Sequence, residues 1–150
     1  MSISEQLAVQ LRSCVLEKTT AQAASVGADD PIEFGDADIF DPNLWHDPTG
    51  ADPENIVVSE PGLYLINALL NIDAIAASVS EAWITVEGTT IARNTATPPA
   101  AGAAHSISVS GVALCDAGDI IILHGTNDVG GVGGYVSARI TVVKIADALK

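Results

Sequence analysis

Between Ile56 and Leu70 the chain runs Ile-Val-Val-Ser-Glu-Pro-Gly-Leu-Tyr-Leu-Ile-Asn-Ala-Leu-Leu. A short β-prone run is followed by a turn at Ser59-Glu60-Pro61-Gly62 and then by a longer run that is apolar at nearly every position. Side chains alternate across a strand, so Tyr64, Ile66, Ala68 and Leu70 share one face while Leu63, Leu65, Asn67 and Leu69 share the other. One set can fill a core. The other needs a cover too, and in so small a domain a second copy of the chain is the expected one.

The same punctuation recurs downstream. Residues 82–86 predict a strand, Glu87-Gly88-Thr89 a tight turn, and residues 90–93 the return strand of a hairpin. Residues 95–104 read as a loop, and 105–112 alternate with Ile107 and Val109 on one face. Asp116-Ala117-Gly118-Asp119 turns into 120–123, a second run apolar on both faces. The glycine-dense turn at 130–134 leads to a last strand, 135–145. There Val136, Ala138, Ile140 and Val142 are predicted to face inward, and Tyr135, Ser137, Arg139 and Thr141 outward.

Upstream the pattern is looser. Ile32 and Phe34 predict a short edge strand before an irregular loop, 35–55, rich in proline and aspartate. In that loop Phe40, Leu44 and Trp45 are expected to act as anchors, because large apolar groups seldom stay in solvent. Residues 1–20 fit a strand (Leu7, Val9 and Leu11 alternate) or a short helix starting at Ser4, with the strand preferred. Short strands with frequent turns predict an all-β sandwich or barrel. The expected division is an N-terminal strand or anchoring arm, 1–20, and one β domain, 21–150.

Composition narrows the function classes. At 150 residues the chain can bury a core without staples. Nineteen acidic residues against six basic ones give a net charge of −13, which repels nucleic acid and anionic lipid. Cys14 and Cys115 are too few for a disulfide framework or a zinc site and read as reduced apolar residues. Residues 1–5 lack the basic start and apolar run of a signal peptide, so the expectation is synthesis in a cytoplasm without secretion.

Candidate chemistry is sparse. His46, His105 and His124 are the only histidines. His46-Asp47 resembles an acid–base pair, yet neighbouring residues usually diverge. No Gly-x-Ser-x-Gly elbow is present, and 130–134 lacks the Lys-Ser/Thr of a phosphate loop. Asp29, Asp30, Asp36, Asp38, Asp41 and Asp47 could offer hard oxygens to calcium, but their spacing fits no calcium loop, and a solvated acidic loop is the expectation. No catalytic residue, cofactor or metal is predicted.

Gly62-Leu63-Tyr64-Leu65-Ile66, after a turn and before an apolar strand, resembles the Gly-x-Tyr strand of the tumour necrosis factor superfamily and of complement subcomponent q globular heads. Phe40-Asp41 through Trp45-His46-Asp47, Ala117-Gly118-Asp119-Ile120 and residues 135–140 fall in that family's order, over about residues 31–145. The resemblance implies an antiparallel jelly-roll sandwich assembled as a homotrimer. By position it places Leu63, Leu65, Asn67 and Leu69, with Tyr135, Ser137 and Arg139, at the trimer interface. A carboxylate of a neighbouring strand, or solvent, is expected to meet Arg139. Asn67 departs from the aromatic usual in the cytokine branch. Without a signal peptide, anchor or collagen stalk, the chain best resembles the bacteriophage virion members. The function this implies is a trimeric capsid decoration protein on the virion exterior, made in the host cytoplasm, with the major capsid protein as partner. The competing reading is a receptor-binding knob of a head or tail fibre.

Overall fold

The computed structural model describes residues 2–3, 12–24, 29–73, 79–97, 103–127 and 134–148. Leu7, Val9 and Leu11 lie outside these residues, as do 130–133 of the glycine-dense turn. Ten strands follow one another: β1 Ser13–Lys18, β2 Gln22–Ala23, β3 Asp30–Pro31, β4 Ile56–Val57, β5 Gly62–Ile72, β6 Ser80–Val86, β7 Thr89–Ala96, β8 His105–Cys115, β9 Ile120–Asn127 and β10 Gly134–Asp147.

They form two antiparallel sheets. The first runs β1-β10-β5-β8, with β2 also on β10; the second runs β3-β9-β6-β7, with β4 also on β9. From β5 onward the chain crosses to the second sheet for β6 and β7, back for β8, over for β9 and back for β10. That alternation wraps the sheets around one core and gives the jelly roll that the resemblance implies.

Alternation fills the core as the sequence predicts for β5. Tyr64, Ile66, Ala68, Leu70 and Ile72 point between the sheets, against Ala82, Ile84 and Val86 of β6 and Ile121 and Leu123 of β9. Ile32 and Phe34 are buried there as well, although the paired strand falls just before them at β3. Ile32 continues the pairing through its N–H, which donates to the Leu123 carbonyl. The hairpin between β6 and β7 turns on Glu87 and Gly88, both at positive φ (48° and 73°), as a two-residue hairpin turn requires.

Tyr135 corrects one expectation. It does not face outward but is fully buried in the core, and Val136, expected inward, is exposed. The cause is a bulge: between Tyr135, paired with Ile72, and Ser137, paired with Asn71, β10 carries one extra residue. Alternation reverses there. Room for the ring comes from Gly125 of the opposite sheet, where an added Cβ would lie 2.6 Å from Tyr135 Cε1. The phenol donates a 3.0 Å hydrogen bond to Asp30 Oδ2, and burial together with that carboxylate pushes its pKa upward.

Of the three anchors expected in the 35–55 loop, one is buried and two are not. Trp45 is buried in the core and donates from Nε1 to Ser59 Oγ at 3.0 Å. Leu44, however, is 86% exposed, and Phe40 is also exposed. Leu44 sits at φ 54°, which turns its side chain to solvent, while Phe40 serves through its backbone, bridging Val15 of β1. Polar staples do the rest. Asp41 accepts from the N–H groups of Trp45 and His46, and Asp38 faces His46 Nδ1 at 2.7 Å.

Candidate functional site: an open sheet face

The outer face of the first sheet is assembled from odd-numbered residues of β1, β5 and β10 and even-numbered residues of β8. Register sets the neighbours. Leu63 lies opposite Leu114 and Leu65 opposite Val112, while Leu65 also pairs with Val143 on the other side. Asn67, Leu69 and Asn71 lie opposite Ser110, Ser108 and Ser106 on β8, and opposite Thr141, Arg139 and Ser137 on β10. The face therefore has an apolar half and a hydroxyl-rich half. Cross-strand neighbours of this kind are the units through which a sheet face packs or recognises.

In the apolar half, Leu114 is 70% and Val112 52% exposed, beside half-buried Leu63 and Leu65. In the polar half, Ser106 Oγ donates to Asn71 Oδ1 at 2.6 Å and Asn71 Nδ2 donates to Ser137 Oγ at 2.8 Å, tying three strands together. Below that ladder Asn67, Leu69, Ser108, Ser110, Arg139 and Thr141 line a shallow depression of about 250 Å³. Six of the seven residues expected at the interface thus share one face; Tyr135 is not among them. Arg139 is exposed, with Glu17 directly across on β1, but no carboxylate among the described residues comes within ion-pair distance of it.

The histidines are buried or engaged elsewhere. His46 pairs not with Asp47 but with Asp38, and its Nε2 lies 2.8 Å from the Pro53 carbonyl, so both ring nitrogens face acceptors. His105 meets Ser80 Oγ at 3.1 Å. His124 has Asp29 Oδ1 2.6 Å from Nδ1 and the Thr85 hydroxyl 2.8 Å from Nε2. Those distances match an acid–base–nucleophile relay. The geometry is nonetheless that of a brace: Thr85 and His124 are both buried, and Trp83 stacks on the imidazole at 5.3 Å and 4°. A nucleophile must reach a substrate atom, and this hydroxyl is spent between strands. Sequence patterns missed the group because Asp29 lies 95 residues from His124.

The acidic residues weighed for calcium are likewise engaged with protein donors. Asp36 accepts from the N–H and hydroxyl groups of both Thr19 and Thr20, which holds its carboxyl well below the usual range. Asp47 accepts from Thr49, chiefly from its hydroxyl, with the same direction of shift. Asp29, Asp30, Asp38 and Asp41 serve the contacts given above. Both thiols are free and buried; burial raises Cys14 strongly, and burial with Asp119 and Asp116 raises Cys115 to about 11. Neither is a reactive thiolate.

The turn before β5 explains its glycine. A Cβ on Gly62 would lie 2.5 Å from both the Ala146 carbonyl oxygen and Lys144 Cε. Lys144 crosses this glycine to reach Glu60 and Asp147, each at 2.8 Å. Tyr64 closes the corner by donating to the Glu60 carbonyl at 2.7 Å, its ring edge-on to Trp45 at 5.6 Å.

Solved structures share this arrangement of strands. The globular domain of zebrafish complement 1qA protein superposes with a TM-score of 0.64, at 14% identity over 91% of this chain and 99% of that one. The fold is the tumour necrosis factor/C1q-like jelly roll. The Eiger tumour necrosis factor of S. frugiperda gives a TM-score of 0.60, at 15% identity over 92% of this chain and 94% of that one. No protein-family model and no curated protein sequence matches the chain. In this jelly roll the Gly-x-Tyr stretch opens β5, an inner strand of the sheet whose outer face lies open.

Proposed function

We propose that the chain is a structural protein of a bacteriophage virion, a homotrimer that binds the outer capsid surface and reinforces the shell. The observation that carries the reading is the apolar half of the open face, Leu63, Leu65, Val112 and Leu114, on a well-braced sandwich. Apolar surface left in water favours burial by association, at about 25 cal/mol per Å². The jelly roll's likeness to the tumour necrosis factor and C1q folds supports three copies meeting through this face. Arg139 then stands among serine, asparagine and threonine groups of its own chain, and with no carboxylate partner among the described residues it can meet a neighbouring copy or solvent.

The mechanism is a clamp. A trimer spanning neighbouring capsid subunits adds buried area that resists outward pressure, and three modest footholds act as one strong one. The net charge of −13 keeps the outward surface soluble and disfavours packaged nucleic acid as the partner. Residues 1–20 and the 35–55 loop are the candidate footholds, and the loop offers exposed Ile39, Phe40 and Leu44 as apolar groups.

Co-sedimentation with empty phage capsids tests the clamp, and light scattering at micromolar concentration tests the trimer. Three times the chain mass with capsid binding is expected. A monomer refutes the assembly. A trimer that binds glycans and ignores capsids moves the protein to the tip of a head or tail fibre.

A further inference from the structure

The described core holds seven buried polar or charged residues, and six of them have partners. Asp30 meets Tyr135, His46 meets Asp38 and Pro53, Ser80 meets His105, Thr85 and His124 meet each other, and Lys144 meets Glu60 and Asp147. Lys18 is the exception. It is 5% exposed, the last inward residue of β1 after Cys14 and Leu16, and its Nζ forms no hydrogen bond or ion pair with any of the described residues. Lys144 is an internal control: equally buried, it holds two carboxylates. A buried ammonium without an acceptor is costly, and structures rarely leave one so.

Lys18 lines a cleft of about 410 Å³ between residues 18–23 and 33–36. Its walls are pinned in place. Gln22 Nε2 donates to the Pro31 carbonyl at 2.8 Å, Gln22 Oε1 accepts from Glu33 N–H at 3.0 Å, and Asp36 is held by Thr19 and Thr20. Asp36 is thus engaged with its own donors rather than with Lys18.

We infer that this cleft is a binding site for a small molecule bearing one carboxylate, which would ion-pair with Lys18. Charge selects the class. An acceptor of negative charge answers a buried ammonium best, while Glu33 and Asp36 on the walls and a net charge of −13 oppose any anion and a doubly charged phosphate more than a singly charged carboxylate. Hydroxyl groups on the same molecule would donate to the Glu33 wall. The site does not depend on the open face or on any assembly.

Calorimetric titration of the full chain with D-glucuronate, glucose and inorganic phosphate is the test, alongside Lys18→Met. Saturable glucuronate binding is expected, competed by acetate, weaker for phosphate and absent for glucose. Lys18→Met should weaken glucuronate binding at least about tenfold, the size of a lost charge-assisted bond. Because methionine keeps the stem and removes the charge, the variant should melt no lower than the native chain. In the native protein the Lys18 ammonium resonance should shift and sharpen with acetate but not with chloride, a readout that needs no variant. Glucose binding as well as glucuronate, tighter phosphate binding, undiminished binding by Lys18→Met, or an ammonium resonance indifferent to acetate each overturns the assignment.

Discussion

The outer faces of the two sheets obey the same alternation and end in opposite states. On the second sheet, Trp83 of β6 stands directly between Arg93 on β7 and His124 on β9. The guanidinium lies 4.7 Å from the indole centroid and is held by Glu81 at 3.0 Å, while the imidazole stacks on the indole and is held by Asp29 and Thr85. That face is finished by its own side chains. On the first sheet the central row is Leu63, Leu65, Asn67 and Leu69, flanked by small hydroxyls and by Val112 and Leu114. Nothing of the described chain covers it. A sheet face that closes itself uses long, polar-tipped side chains; a face built of leucine, valine and serine lies flat enough for another surface to meet.

Truncating the centre of the closed face gives the largest expected effect. Trp83→Ala removes a buried indole together with its cation–π and stacking partners, and should cost about 3 kcal/mol or more. Chemical denaturation of dilute protein measures it. A loss under about 1 kcal/mol would mean that the row of Arg93, Trp83 and His124 is ornament and the contrast between the faces is false.

Tyr135→Phe comes next and concerns a residue that alternation assigns to the open face. Removing the hydroxyl leaves buried Asp30 short of a charge-assisted donor, an expected cost of about 1.5–3 kcal/mol. Were Tyr135 on the open face, the same change would be nearly silent.

That misassignment shows where sequence patterns run out. β5 and the two-faced run of β9 follow from composition and alternation, because each is uninterrupted; the hairpin of β6 and β7 is legible from its turn, although β7 carries an extra residue at Ile91. Alternation survives only until an extra residue enters, and the bulge at Val136 reverses everything before it. The faint signal is Gly125, a glycine within an apolar strand, which reports a large group arriving from across the core. The Asp29, Thr85 and His124 group, and the choice of Asp38 over Asp47 by His46, depend on tertiary proximity that no spacing encodes. Leu44 fails as an anchor because its backbone adopts φ 54°, and side-chain hydrophobicity carries no information about that. Lys18 is different. Alternation from Cys14 through Leu16 already puts it inside.

Acid provides a milder contrast. The Asp36 carboxyl is depressed in the folded chain by the Thr19 and Thr20 donors. A depressed group contributes stability above its unfolded pKa, about 3.9, and loses it as pH falls toward the folded value. The melting temperature of the native chain should therefore drop below about pH 4, and Asp36→Asn should flatten part of that drop. The apolar half of the open face (Leu63, Leu65, Val112 and Leu114) has no carboxylate of its own, so variants there should leave the acid limb unchanged. If they shift it as much as Asp36→Asn does, the two regions are not independent.

The smallest expected effect bears most directly on what the open face is for. Replacing Val112 and Leu114 with serine removes apolar groups that are already largely in water, so in dilute protein the change should stay within about 0.5 kcal/mol. At micromolar concentration the outcome should differ. If copies of the chain meet through this face, association stabilises the folded state by mass action and the native melting temperature rises with concentration. The double serine variant should lose that rise while matching the native chain at high dilution. A face that merely tolerates its leucines would show neither the rise nor its loss, and closed and open would then differ in composition alone.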